Sequence, residues 1–268
     1  DIEKRKEKNT VKYCVVSRDF ELPELKLLVD AVQSSKFITH KKSNELIKKI
    51  EGFASKYDSQ QLQRQVFVAN RIKAMNESIY YTVDYIHEAI NKDVKVSFKY
   101  FNWNEKKEKV LRHDGNSFVI SPWALTWDDE NYYLIGFDSL DGIIKHYRVD
   151  KMLGISLTDE KRDGAQLFKN FDMALYSKKT FGMYGGKDET VTLRCKNSLA
   201  GVVIDRFGSD VPIIIDGDGY FKVNVKVQIS PLFISWVMNF GEDITVLSPD
   251  YVKHELVNTA NKILSMYK

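Results

Sequence analysis

Hydrophobic residues change their spacing at Val94, and the change divides the chain into a helical first part and a strand-rich remainder. Before it, apolar positions recur every three to four residues. Leu25, Leu28, Val29 and Val32 make the stripe of an amphipathic helix, with Pro23 in its first turn, where proline is tolerated. Thr39 or Ser43 can cap a second helix, in which Leu46, Ile47, Ile50, Phe53, Ala54 and Tyr57 share one face. A polar link from Asp58 to Gln65 follows. The spacing of Ile79, Val83, Ile86 and Ile90 predicts a third helix from about Ser78 to Asn91.

From Val94 the period is two. Val94, Val96, Phe98 and Tyr100 alternate with Lys95, Ser97, Lys99 and Phe101, as in a half-buried strand. Short strands are predicted at Ser117 to Ile120, Tyr132 to Phe137 and Ile143 to Val149. Charged or glycine-bearing turns separate them: Lys106 to Lys109, Asp114-Gly-Asn116, Asp128 to Asn131 and Asp138 to Gly142. About five short strands in so few residues predict a small, strongly bent antiparallel barrel. Phe181 to Gly186 is a glycine-rich connector. Beyond it the pattern restarts: strand Thr190 to Cys195, helix Ser198 to Phe207, a hairpin around Asp216-Gly-Asp-Gly219, helix Pro231 to Phe240, strand Ile244 to Leu247 and helix Pro249 to Tyr267. This β-α-β-β-α-β-α order predicts a ferredoxin-like α/β domain, so the fold class is α+β.

Residues 1 to 19 read either as part of a charged hairpin that began upstream or as a tail followed by one strand. The organisation expected is thus residues 1–19, a helical linker 20–92, a barrel 93–160, a connector 161–188 and a C-terminal domain 189–268.

Composition narrows the function. With 40 Lys+Arg against 37 Asp+Glu, the net charge of +3 argues against a duplex-DNA binder that uses its whole surface. No apolar run approaches the roughly 20 residues a bilayer needs, and no signal peptide is visible, so a cytoplasmic protein away from membranes is expected. Two distant cysteines, Cys14 and Cys195, read as reduced thiols. The phosphate-loop, dinucleotide and nucleophile-elbow motifs are absent, the five histidines are scattered, and Asp216-Gly-Asp-Gly lacks the remaining ligands of a calcium loop. Hence neither an enzyme, a metal site nor a cofactor is expected. The informative stretch is Lys95 to Lys151. There Lys95, Lys99, Lys106, Lys107, Lys109 and Arg112, then Lys145, His146, Arg148 and Lys151, interleave with Tyr100, Phe101, Trp103, Trp123, Trp127, Tyr132, Tyr133 and Tyr147. Cations that neutralise phosphate beside rings that stack on bases suit single-stranded nucleic acid or nucleotides. If Tyr147 and Val149 face the core, His146 and Arg148 share the opposite face.

Three segments carry a resemblance: Ser121-Pro-Trp-Ala-Leu125, Asn131-Tyr-Tyr-Leu-Ile-Gly-Phe-Asp138 and Lys145-His-Tyr-Arg-Val-Asp-Lys-Met152. In order and content they resemble the WYL domain of bacterial transcriptional regulators, with Tyr132-Tyr133-Leu134 at the place of the name-giving Trp-Tyr-Leu. The last resembles a motif written R-x-F-R-L-D-R-I, in which Lys145 and Lys151 replace the outer arginines and Arg148 matches the inner one. Val191-Thr-Leu-Arg, Asp205-Arg-Phe-Gly, Trp236-Val-Met-Asn-Phe-Gly and Val246-Leu-Ser-Pro resemble the C-terminal extension of the same regulators, and residues 1–17 the end of a winged helix. The resemblance implies an Sm-like or SH3-like five-stranded barrel, a homodimer, duplex promoter DNA bound through a winged helix largely missing from this chain, and a single-stranded nucleic-acid or nucleotide effector on the barrel. By motif position it puts phosphate on Arg148 and Lys145, and base or sugar on Tyr133, Trp123 and His146. Ser121, Tyr132, Lys99 and Lys151 are expected neighbours. Arg148 has the alternative of a structural ion pair with Asp150 or Asp138. Tyr132 and Trp123 have that of barrel core, and His146 that of a plain exposed strand residue. Alternatives for the whole are an accessory module acting through a partner protein, and a nucleotide-processing enzyme.

Overall fold

The structure is a computed structural model that describes residues 2–7, 10–15, 19–55, 58–59, 62, 79–169, 171–217 and 219–268. Its chain divides into two compact units, residues 1–84 and 85–268.

In the first unit, β1 (Ile2–Glu7) and β2 (Thr10–Val15) form an antiparallel hairpin with Ile2 opposite Val15 and Glu7 opposite Thr10. Helix α1 (Leu22–Ser34) buries Leu25 and Val29, half of the expected stripe, while Leu28 stays exposed. Helix α2 (His40–Glu51) is capped by Thr39, whose Oγ1 accepts the N–H of Lys42 at 3.1 Å. It ends at Glu51, before the face drawn through Phe53 and Ala54, because Gly52 breaks the run; the Phe53 ring instead sits edge-on to Phe20 at 5.5 Å. Tyr57 and Ser78 lie outside the described residues.

Helix α3 (Ile79–Lys92) contains the boundary between the units, so the stretch read as one linker to residue 92 is divided. Asp93, at φ +56°, stops the helix and turns the chain directly into β3 (Val94–Trp103). Strands β4 (Lys109–Leu111), β5 (Phe118–Asp128), β6 (Asn131–Asp138), β7 (Ile143–Arg148) and β8 (Met152–Lys161) follow, all pairing antiparallel. The main path runs β8-β3-β5-β6-β7, with β4 a short addition to β3. It curls into a half-barrel whose last strand, β7, pairs on one edge only among the described residues. Phe98, Phe118, Ile120, Leu134, Tyr147, Val149 and Met152 fill its interior. Two features differ from the sequence reading. β5 does not end at Ile120 but continues through Pro122, where a missing N–H coincides with a bulge between Pro122 and Ala124. β8 is a full strand beyond the last one predicted; its weak alternation hid it, and it lines the free side of β3.

The connector holds two short helices, α4 (Ala165–Phe168) and α5 (Met173–Lys179), and a tight bend bridged between Phe181 and Tyr184. The C-terminal domain then has β9 (Lys187–Lys196), α6 (Ala200–Phe207), β10 (Ile213–Ile215), β11 (Tyr220–Ile229), α7 (Pro231–Met238), β12 (Ile244–Ser248) and α8 (Asp250–Met266), the order the pattern predicts. Its antiparallel sheet runs β10-β11-β9-β12, so the first strand lies between the third and fourth. Val191, Leu193, Cys195, Val203, Phe221, Val223, Val225, Val227, Phe233 and Val246 make one continuous core, and Cys195 is a free buried thiol.

Candidate ligand-binding site

The unpaired edge of β7 borders a cavity of about 510 Å³. Register explains why residues of both sheet faces reach it. Leu134 lies opposite Tyr147 and Gly136 opposite Lys145, on the inner face; Tyr133 lies opposite Arg148 and Ile135 opposite His146, on the outer face. At a free edge both faces are accessible, so Lys145, His146, Tyr147 and Arg148 all line the cavity. Tyr100, Arg112, Phe118, Tyr133, Ile144 and Lys151 complete the barrel side, and the bend from Gly182 to Gly185 forms the opposite wall.

The edge is held open by side chains. The N–H of Arg148 donates to the Tyr100 hydroxyl at 3.1 Å, in place of a ladder partner. His146 is half-buried and its Nε2 lies 2.8 Å from the Tyr176 hydroxyl; burial holds its pKa below the ordinary value, against a backbone hydrogen bond with Met183. Tyr176 also hydrogen-bonds Gln228 on β11, and Gln228 Nε2 donates to Asp188 at 3.0 Å. A run of hydrogen bonds thus joins the cavity wall to the C-terminal sheet.

The cations fall into two groups. Arg148 is forked onto Asp150, with Nε to Oδ1 at 3.0 Å and Nη2 to Oδ2 at 2.8 Å, and Nη2 also reaches Asn131 at 2.8 Å. This is the ion pair held open above as the alternative for Arg148. Lys145 binds Asp138 at 2.7 Å and also Asp141. Burial pushes the Asp138 carboxyl up, but the bonds from Lys145 and the Leu140 N–H outweigh it and hold it below its usual range. Arg112 and Lys151 have no ion pair among the described residues. The Lys151 ammonium is held below its usual range by burial and by the charges of Arg148 and Arg112, against the attraction of Asp150. Three tyrosines line the same space, and burial acts on the hydroxyl of each. That of Tyr100 is raised to about 12 by burial, and those of Tyr133 and Tyr147 are raised for the same reason, so all three are neutral donors at pH 7.

Of the nine residues expected from the sequence, Arg148, Lys145, His146, Tyr133 and Lys151 come together here. His146 is not the plain exposed residue of its alternative. The other four stand elsewhere. The bulge at Pro122 turns Trp123 outward, where it stacks on Phe168 at 4.8 Å, lies under the Arg162 guanidinium at 4.0 Å and donates its indole N–H to the Asp163 carbonyl at 2.9 Å. Ser121 is fully buried and accepts the Asp163 N–H at 2.9 Å. Tyr132 packs edge-on against Trp127 at 4.7 Å, and Lys99 is exposed on β3. Arg112, Tyr100, Tyr147 and the connector bend were not among the expected residues. The sequence signals for them were the basic run that ends at Arg112, and a tyrosine at position 147 where the resembling motif has phenylalanine. Among the described residues no three His, Cys, Asp or Glu side chains gather as metal ligands, and no helix is long and apolar enough to cross a membrane.

Comparison with known proteins adds a family. The WYL domain model matches residues 81–157 and the WCX domain model residues 187–264, together more than half of the chain. No curated protein matches it. Among solved structures, Proteasome accessory factor B/C (PafBC) of Arthrobacter aurescens overlaps the whole of this chain with 15% identity and a TM-score of 0.32, and the overlap spans 40% of that protein.

Proposed function

The chain belongs to the WYL-domain family, and from that membership we propose that it is the ligand-sensing part of a DNA-binding transcriptional regulator. Its effector is a single-stranded nucleic acid or a nucleotide, bound in the cavity at the edge of β7. The observation that carries this reading is the composition of that cavity. Arg112, Lys145, Arg148 and Lys151 supply positive charge, while Tyr100, Tyr133 and Tyr147 supply rings and hydroxyl donors within a volume that suits a ligand of nucleotide size. The half-barrel is read as Sm-like and the C-terminal sheet as ferredoxin-like. The bound effector acts by linkage: a ligand that prefers one arrangement of the cavity wall shifts the equilibrium by its differential affinity, and the His146–Tyr176–Gln228 run is the path from the wall to the C-terminal sheet. A homodimer in the cytoplasm, bound to promoter DNA through a winged helix of which β1 and β2 are the end, completes the proposal. The cavity senses and does not catalyse.

The test is titration of the chain with short single-stranded DNA, RNA and cyclic dinucleotides over a salt series, beside Arg148→Ala. Binding that weakens steeply with salt and is largely lost in the variant is expected. Turnover of the bound oligonucleotide or cyclic dinucleotide would replace the sensor with an enzyme, and absence of binding to every probe would remove the effector class.

A further inference from the structure

Four cations line the cavity, but they are not equivalent. The carboxylates of Asp150 and of Asp138 with Asp141 already occupy Arg148 and Lys145, the two the motif points to first. Arg112 has no carboxylate partner among the described residues, and its guanidinium stands 5.9 Å from the Tyr100 ring and 6.0 Å from the Phe118 ring. It is close enough to act electrostatically on Tyr100, Tyr147 and Lys151. Lys151 likewise has no ion pair among the described residues, and it feels Arg148 and Arg112 as like charges and Asp150 as an opposite one. Unpaired cations that repel one another around an open space leave room for an anion.

The independent sign is Tyr147. Its side chain is 3% exposed, it lines the cavity, and its hydroxyl has no hydrogen-bond partner among the described residues. A buried hydroxyl without a partner is costly, and nearly all such groups are satisfied in native proteins. Phenylalanine would fill the same space among Phe98, Tyr100 and Phe118 without that cost.

We infer that Arg112, Lys151 and the Tyr147 hydroxyl form the phosphate-binding centre of the cavity, and that Arg148 and Lys145 are positioning residues that brace the β7 edge through their carboxylates. The assignment of the anion as an effector's phosphate rests on the function proposed above. The donor set suits it: a guanidinium fork, an ammonium and a phenol offer separate N–H and O–H groups to the oxygens of one tetrahedral anion. Tyr133, on the same rim, is left for the base or sugar. The phosphate comes either from a terminal phosphomonoester or from a backbone phosphodiester.

The experiment uses the full chain at constant ionic strength. Inorganic pyrophosphate, trithymidylate and 5′-phosphorylated trithymidylate are titrated calorimetrically into wild type, Arg112→Ala, Arg112→Lys and Tyr147→Phe, and the melting temperature of each ligand-free protein is recorded. Wild type is expected to bind pyrophosphate. Arg112→Ala is expected to lose about ten-fold or more and Tyr147→Phe about five- to ten-fold, with partial rescue in Arg112→Lys. The ligand-free Tyr147→Phe protein should melt no lower than wild type, which a purely structural hydroxyl does not allow. Preference for the 5′-phosphorylated trimer identifies a terminal phosphate; equal affinity identifies the backbone. Failure of wild type to bind pyrophosphate, or wild-type affinity in both Arg112→Ala and Tyr147→Phe, overturns the centre. If the oligonucleotides bind but these variants bind them equally well, the proposed function stands and the centre falls. If pyrophosphate binds at the centre and no oligonucleotide does, the centre stands and the proposed effector falls.

Discussion

The half-barrel and the C-terminal sheet both alternate apolar and polar positions, yet they dispose of their polar atoms in opposite ways. In the C-terminal sheet the strand charges are matched on the surface. Arg194 Nε donates to Asp216 at 2.6 Å while its guanidinium covers Tyr220 at 3.8 Å, Lys222 shares the same carboxylate, and Thr192 bonds Asn224 at 2.8 Å. Beneath them the strands contribute mostly valines and leucine, and the buried amide of Gln228 on β11 is bonded to Thr180 and Asp188. The rings packed against that sheet, Phe181, Phe207, Phe233 and Trp236, meet edge to face but carry no hydroxyl; the half-barrel, with Phe98 and Tyr147 centroids 5.3 Å apart and Tyr100 and Tyr147 5.5 Å apart, brings phenol groups into its interior. One of these, Tyr100, finds a backbone donor; the other, Tyr147, finds none among the described residues. A core without phenols leaves no buried phenol hydroxyl to satisfy. A core with phenols, at an unpaired sheet edge, gives up some stability and leaves one hydroxyl unsatisfied.

The largest test of this contrast is in the C-terminal core. Phe233→Ala removes a fully buried ring and is expected to lower stability by about 3–5 kcal/mol in urea unfolding. Next is the seam between the regions. A Cβ at Gly186 would run into the carbonyl oxygen of Ile229, so Gly186→Ala is expected to cost about 1–3 kcal/mol. The two phenols should then separate in sign. Tyr100→Phe strands the Arg148 N–H and is expected to destabilise by about 1–2 kcal/mol, whereas Tyr147→Phe removes an unsatisfied hydroxyl and is expected to be neutral or to stabilise by up to about 1 kcal/mol. Equal losses in both would erase the distinction between the two hydroxyls. The smallest effect is one of pH. Because burial lowers the pKa of His146, the unfolded chain takes up a proton near its ordinary value of about 6.5 before the folded chain does. Its contribution is therefore complete above that pH and is lost as the pH falls through the lower folded value. Stability measured from pH 7 down to 5 should decline less steeply in His146→Gln than in wild type.

Much of this was legible in the sequence. The change of period at Val94 located the start of β3, and glycine and aspartate turns separated the strands, because both depend on residues near one another in the chain. The parity argument that put Tyr147 inside and His146 with Arg148 outside agrees with the register of β6 and β7. Less legible were β8, whose alternation is blurred by half-exposed positions, and the course of β5 past Pro122. The latter mattered most: a motif position alone placed Trp123 beside the ligand, but Trp123 is the residue left unpaired by the bulge between Pro122 and Ala124, and it packs under Arg162 and on Phe168.

By itself, then, the sequence determined the type and order of the elements and concentrated cations and rings on the strands that border the cavity, since periodicity and composition are local properties. Only the tertiary structure decided which of those groups are available. Arg148 and Arg112 read alike along the chain, but the turn after β7 sets Asp150 against one and nothing described against the other. Tyr100 and Tyr147 are both buried tyrosines, but strand pairing brings a backbone N–H to one hydroxyl and leaves the other without a partner among the described residues. Pairing of charges and satisfaction of buried hydroxyls depend on distances between strands far apart in sequence, and those distances exist only in the fold.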